Sequence, residues 1–361
     1  MLKFIDEYRD REACLDTARK IREISTKPFN IMEVCGGHTM AIRKNGIHKI
    51  IGDKIRLISG PGCPVCVTSI QDIDKAVFLA GIKGVSVCTF GDLMYVPGSY
   101  SSLASVRSEG GDVRVVYSVM DVLDFCKKEP DKKFIFIGIG FETTVPTIAA
   151  SIVSAEEEKI ENFFVLALNK TLPSALSVVL NSEDSKIDAL IAPGHVSAIT
   201  GFEMYRFIVD EIGVLCCVAG FEPLDILKAI YILAKAHSAG EMKLFNGYER
   251  IVTANGNEKA KKIIAKVFEP CSSEWRGCGF IPDSGLRIRR EYRTFDAEKI
   301  IDIKVPVSSE NPGCICGSIL RGANTPMDCV LFKKVCTPSS PKGACMVSSE
   351  GTCAAWFKYE T

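Results

Sequence analysis

A chain of 361 residues is roughly twice the size of a typical domain and therefore divides into two or three units, each with its own core. Its 44 Lys+Arg balance 44 Asp+Glu, which leaves no basic face for nucleic acid or an anionic membrane. With 47 % hydrophobic and 24 % charged residues, a disordered chain is excluded. The outlier is cysteine, with 16 residues against 4 His and 2 Trp. The opening MLKFIDEYRDREACLD is charged and has no apolar h-region, and no apolar run approaches the roughly 18 residues of a membrane span. These features predict a cytoplasmic protein, in which clustered cysteines serve as metal ligands or redox thiols rather than as structural disulfides.

In chain order, residues 1–28 place Phe4, Ile5, Tyr8, Cys14, Leu15, Ala18 and Ile21 at roughly helical spacing, which predicts an amphipathic helix packing on the other domains. From residue 29, short β-branched runs alternate with helix-compatible stretches, the pattern of parallel strands joined by crossover helices. The predicted strands are 29–34, 55–58, 85–90 and 113–118, then 134–139, 163–168, 189–192 and 214–219. The polar KKEPDKK at 127–133 separates the two sets. The expected fold is α/β: two related Rossmann-like parallel-sheet domains, 29–130 and 131–236, followed by a Cys-rich unit over 237–361. In open parallel sheets ligands bind beyond the carboxyl ends of the strands, so the loops CGGHT, GPGCP, TFGD, GIGFETT, APGHVS and AGFEP are where chemistry is expected.

The densest cluster is Cys314, Cys316, Cys329, Cys336, Cys345 and Cys353, six thiols within 40 residues among turn formers. Soft ligands converging from loops suit an iron–sulfur cluster; a four-thiolate zinc site is the rival, although paired C-x2-4-C knuckles are missing from the later gaps. Six thiols for four positions leave two, which would form a redox disulfide beside the metal. Cys63 and Cys66 form a C-x-x-C after a strand, and a helix expected over 69–79 would stabilise a thiolate there through its dipole. Cys35 and His38 follow another strand, where Gly36 and Gly37 permit close backbone approach. GIGFETT lacks both a full G-x-G-x-x-G and a Gly-Lys-Ser/Thr, so it is not a phosphate loop. Asp92, Glu142 and His195 lie in strand-end loops and are supporting candidates for holding protons or ligands. Cys14, Cys88, Cys126, Cys216 and Cys217 sit in apolar runs or helices and read as core.

The strings MEVCGGHTMAI, SGPGCPVCVT, FGDLMYVPGS, GFETT, APGHVSAI and the terminal CICGSILRG to SSEGTC together resemble the HypD family of nickel-iron hydrogenase maturation proteins, over nearly the whole chain from Asn30 onward. The resemblance implies a scaffold, holding a 4Fe-4S cluster, on which an iron centre bearing two cyanides and one carbon monoxide is assembled before delivery to the hydrogenase large subunit. A HypC-type small chaperone would share the iron and a HypE-type protein would deliver cyanide. By motif, Cys35 would bind the iron with His38 beside it as proton carrier, and Cys63 and Cys66 would be the nearby dithiol. Cys314, Cys329, Cys336 and Cys353 would hold the cluster, with Cys316 and Cys345 as a redox pair passing electrons to Cys63 and Cys66. The competing expectations are an iron–sulfur-dependent thiol-disulfide oxidoreductase acting on a protein substrate, and a zinc-stapled interaction domain.

Overall fold

The computed structural model describes residues 5–182 and 185–360. It holds two parallel sheets with helices packed on them. The strands are β1 (Phe29–Glu33), β2 (Ile55–Ser59), β3 (Val85–Thr89), β4 (Asp112–Val115), β5 (Lys133–Gly138), β6 (Phe163–Ala167), β7 (Ala189–Pro193), β8 (Leu215–Ala219), β9 (Leu244–Asn246) and the hairpin strands β10 (Phe268–Trp275) and β11 (Gly279–Ile288). β3, β7 and β8 are buried along their whole length, which is why they read as continuous apolar runs rather than alternating ones. Among the described residues, no helix is long and apolar enough to cross a membrane.

Sheet membership does not follow the boundary expected between residues 130 and 131. One sheet runs β2-β1-β7-β8-β9 and the other β4-β3-β5-β6, so each draws strands from both expected domains. The chain builds β1 and β2, lays down the whole second sheet, and returns to place β7 against β1, with Met32 opposite Leu190. Strand propensity marks each run but carries no information about its neighbour, so two interleaved sheets look like two consecutive ones. The last expected unit, 237–361, is divided as well. β9 pairs with β8, the β10–β11 hairpin packs against β6 and the Leu172–Leu180 helix, and the Cys-rich segment shares a core with the loops of the first sheet.

The N-terminal helix forms over Arg11–Ile24, capped by Asp10 accepting from the Ala13 N–H at 2.7 Å. It buries Ala18 and Ile21 against the Pro223–Ala239 helix. Leu15 is 47 % exposed and belongs to the outer face, contrary to its expected place on the apolar stripe. Phe4, the first residue assigned to that stripe, lies outside the described residues. Cys88, Cys126, Cys216 and Cys217 are core, as expected, whereas Cys14 is half-buried.

Candidate functional site

In the first sheet the chain steps from β1 outward to β2, and later from β7 outward to β8 on the other side. β1 and β7 therefore flank the point where strand order reverses, where open α/β sheets bind their ligands. Cys35 follows β1 and His195 follows β7. The backbone of Cys35 caps the Gly36–Lys44 helix, and its Sγ lies 3.9 Å from His195 Nδ1. His195 is exposed to a cleft of about 670 Å³ whose walls include Lys44, Phe221, Glu222 and Glu350, with Cys35 on its floor at 2 % exposure.

Burial pushes the Cys35 thiol up to about 12, against the pull of the His38 and Gly37 backbone N–H groups, and the nearby carboxylates of Glu350 and Glu33 add to the rise. Without a cation beside it Cys35 therefore keeps its proton. Enclosure lowers His195 below the usual imidazole range, so its ring is neutral near pH 7 and Nδ1 can act as a base or a ligand. His38 plays a different part. Its Nε2–H donates to the Gly220 carbonyl at 2.9 Å and its ring stacks on Phe221 at 4.7 Å, while burial pushes it down to about 4. The imidazole facing the thiol is thus His195, held above only as a supporting candidate, and His38 braces the wall.

Cys63 and Cys66 follow β2, the neighbour of β1, and are joined by a disulfide. Their loop is pressed onto Cys35: the Gly36 N–H donates to the Gly62 carbonyl at 3.1 Å, and a Cβ on Gly62 would stand 2.2 Å from the Cys35 nitrogen. Glycine is required here for backbone contact. Cys63 caps a short turn of helix, Pro64–Val67, and its Sγ accepts from the Cys66 N–H at 3.2 Å. The long helix expected to lend its dipole starts only at Ile70, capped by Ser69, so neither cysteine stands at its N-terminus.

Behind this loop lie the six clustered cysteines. The Cys316 side chain is electrostatically coupled to those of Cys314 and Cys345, and Cys345 in turn to Cys353. Gly343 makes room for them, since a Cβ there would meet Cys314 Sγ at 2.6 Å. The two S–H donors at Cys316 favour its charged form over its burial, while Cys314 and Cys345 are raised and keep their protons. Cys336 lies near Cys353 and Cys329, and its Sγ accepts from the Lys342 N–H at 3.4 Å. Among the described residues, no group of three or more His, Cys, Asp or Glu is arranged to hold a single metal ion. The Cys-rich segment meets both other thiol loops. The Ala344–Met346 turn and the Cys316–Leu320 helix touch Pro64–Val67, and Glu350 presses on Gly36, where a Cβ would meet its carbonyl oxygen at 2.3 Å.

Asp92 and Glu142 follow β3 and β5, the corresponding reversal point of the second sheet. Asp92 Oδ2 accepts from Ser348 Oγ at 2.8 Å and so anchors the Cys-rich segment to that edge. Glu142 Oε1 accepts from the Leu172 N–H at 2.9 Å, capping the Leu172–Leu180 helix, while Oε2 is buried without a partner. Burial pushes this carboxyl up to about 7. Neither is brought to Cys35 by a hydrogen bond among the described residues.

Sequence reasoning missed the tip of the β10–β11 hairpin. Thr68 bridges to Trp275, Trp275 stacks on Phe141 of the GFETT loop at 5.9 Å, and Arg276 binds the end of the dithiol helix. The signal available in the sequence was Trp275, one of two tryptophans in the chain.

Comparisons with known proteins identify the chain's relatives. The profile of a family described as the HypD, hydrogenase formation hypA family, matches residues 12–360. The chain is 44 % identical to the hydrogenase maturation factor HypD of Rhizobium leguminosarum bv. viciae, covering 99 % of this chain and 96 % of the relative. It is 41 % identical to that of Escherichia coli (strain K12), covering 99 % and 98 %. With full-length coverage at this identity, the chain belongs to the HypD family of hydrogenase maturation factors.

Proposed function

We propose that this chain is a redox-active scaffold on which an iron ion is held at Cys35 while cyanide and carbon monoxide ligands are installed, in a cytoplasmic complex with a HypC-type chaperone and a HypE-type cyanide donor. The observation that carries the reading is the convergence, at one strand-order reversal, of a buried thiol, a neutral imidazole and a disulfide loop in backbone contact with that thiol. Iron is the substrate here, and the open cleft is the route by which partners reach it.

The protein's own residues divide the work. Cys35 releases its proton on meeting the cation, and His195 Nδ1 is placed to take it. The wall built by His38 and Phe221 limits water around the thiol. Cys63 and Cys66 cycle between disulfide and dithiol: two electrons and two protons open the bond, and its re-formation returns two electrons to the cleft. Cys316 and Cys345 stand behind them as the exchange partners.

Cys314, Cys329, Cys336 and Cys353 would hold a 4Fe-4S cluster. Four soft thiols on separate segments, the last in the first turn of the Thr352–Tyr359 helix, form the donor set such a cluster needs, and Gly343 leaves space beside the first of them. When bound, the cluster supplies single electrons at low potential.

Burial argues against the rival oxidoreductase reading. A thiol attacking a protein disulfide must be reachable, whereas Cys63 and Cys66 are 4 % and 0 % exposed. Iron analysis of the anaerobically purified complex with a HypC-type partner tests the scaffold reading. Cys35→Ala loses iron beyond that of the cluster; retention of that iron would refute it.

A further inference from the structure

Two short helices carry thiols of the two sites. The Gly36–Lys44 helix begins at Cys35, its N-cap, and the Thr352–Tyr359 helix holds Cys353 in its first turn. They lie side by side and point the same way. At their N-terminal ends a Cβ on Gly36 would stand 2.3 Å from the Glu350 carbonyl oxygen, and at their C-terminal ends the Arg43 guanidinium lies 3.9 Å from the centre of the Trp356 ring. Arg43 Nη1 also donates to Glu360 Oε1 at 2.8 Å, and the same oxygen faces His48. Lys333 Nζ, from the turn before Cys336, donates to the Glu360 carbonyl at 2.5 Å, and Phe357 meets Phe332 edge-on at 6.3 Å. The Thr352–Tyr359 helix is thus held between the Cys35 helix and the turn that leads to Cys336.

Helices of nine and eight residues do not persist alone, so each takes its position from what it packs against. The Arg43 side chain is 9 % exposed, and a cation so enclosed is stable only where a ring face and a carboxylate replace water. It stands in the last turn of the Cys35 helix, where the helix dipole also favours positive charge. With Gly36 pressed on Glu350 at one end and Arg43 fastened to Trp356 and Glu360 at the other, a displacement of Cys353 reaches Cys35 through packed atoms rather than along the chain.

We infer that Arg43 is a positioning residue that couples the two thiol sites: by clamping the Cys353 helix to the Cys35 helix, it makes a filled cluster site the condition for a closed floor around Cys35. Iron is then accepted in the cleft only by protein whose electron supply is in place. The inference rests on the proposed assignment of Cys336 and Cys353 to an iron–sulfur cluster.

The test uses full-length protein purified without oxygen and without partners, with Cys336→Ala as the cluster-free form. Cys35 is alkylated with iodoacetamide, and its rate is read by peptide mass spectrometry beside the visible absorption of the same sample. Cys336→Ala raises the rate about tenfold, Arg43→Ala raises it by a similar factor while keeping the absorption, and the double variant adds less than about threefold to either. Arg43→Lys keeps a cation beside Trp356 and Glu360, and returns the rate to within about threefold of the unsubstituted protein. Glu360→Gln, made at a partly exposed position, removes the ion pair and raises the rate a few-fold, so the sign is readable even where Arg43→Ala does not fold. A Cys35 rate indifferent to Cys336→Ala or to Glu360→Gln, factors that multiply in the double variant, or loss of the absorption in Arg43→Ala overturns the inference alone. Full absorption in Cys336→Ala, or none in the unsubstituted protein, overturns the cluster assignment, and the inference with it.

Discussion

His195 Nδ1 stands 3.9 Å from Cys35 Sγ, although 160 residues separate the two in the chain. They meet because β1 and β7 are adjacent and parallel, so the loops leaving their carboxyl ends open into one cleft.

This contact separates the roles of the two histidines. His195→Ala, at an exposed position, leaves the melting temperature nearly unchanged and weakens iron retention roughly 10- to 100-fold. His38→Ala removes the bond to the Gly220 carbonyl and the stack on Phe221, and costs about 2 kcal/mol of stability. Thermal melts alongside iron analysis check both. Equal losses of iron and stability in the two variants would contradict the division.

The contact between the dithiol loop and Cys35 is backbone against backbone, so it tolerates no side chain. Gly62→Ala forces the two loops apart and costs about 3 kcal/mol or more, with loss of iron retention. Gly81→Ala is the control, because a Cβ there meets its nearest atom at an ordinary 3.5 Å. Denaturant unfolding of both variants gives the comparison, and similar midpoints would count against the close approach.

Glu142 gives the fold a pH dependence of defined sign. The folded carboxyl titrates at about 7 against 4.5 ordinarily, so between these values the folded state holds a proton that the unfolded chain has released. Its stability contribution is complete below about 4.5 and is lost as pH rises through about 7. Buried His38 slopes the other way, so the informative quantity is the difference between the unsubstituted protein and Glu142→Gln. Relative to the unsubstituted protein, the variant gains on the order of 2 kcal/mol between pH 5 and pH 8 in urea unfolding. A difference that does not change with pH would mean that Glu142 is not protonated in the folded protein.

The terminal cysteines are separable from the core ones by colour. Cys336→Ala removes the broad visible absorption expected of an iron–sulfur protein purified without oxygen, whereas Cys126→Ala and Cys271→Ala retain it, being outside the clustered thiols. Persistence of the full absorption in Cys336→Ala would remove that residue from the donor set.

The eight strands of the two sheets' main body were legible because buried parallel strands are short continuous apolar runs, and their loops because Gly, Pro and Cys interrupt those runs. Sheet order was not legible, since the pairing of β1 with β7 depends on packing across the whole chain. β9 is three residues long and escaped notice for that reason, and β10 carries a proline and four acidic or hydroxyl residues that mask its alternation. The thiols of the site announced themselves by type. His195 outranks His38 only after the two loops are brought together, and Arg43 matters because the fold lays its helix beside Trp356, which no sequence pattern records.

The most direct test of the account is an anaerobic infrared spectrum of the protein co-produced with its HypC-type partner, scanned where metal-bound cyanide and carbon monoxide stretches occur. The account predicts bands of both kinds that vanish in Cys35→Ala. A silent window from protein shown to carry its cluster and its partner, or bands that survive Cys35→Ala, would contradict it.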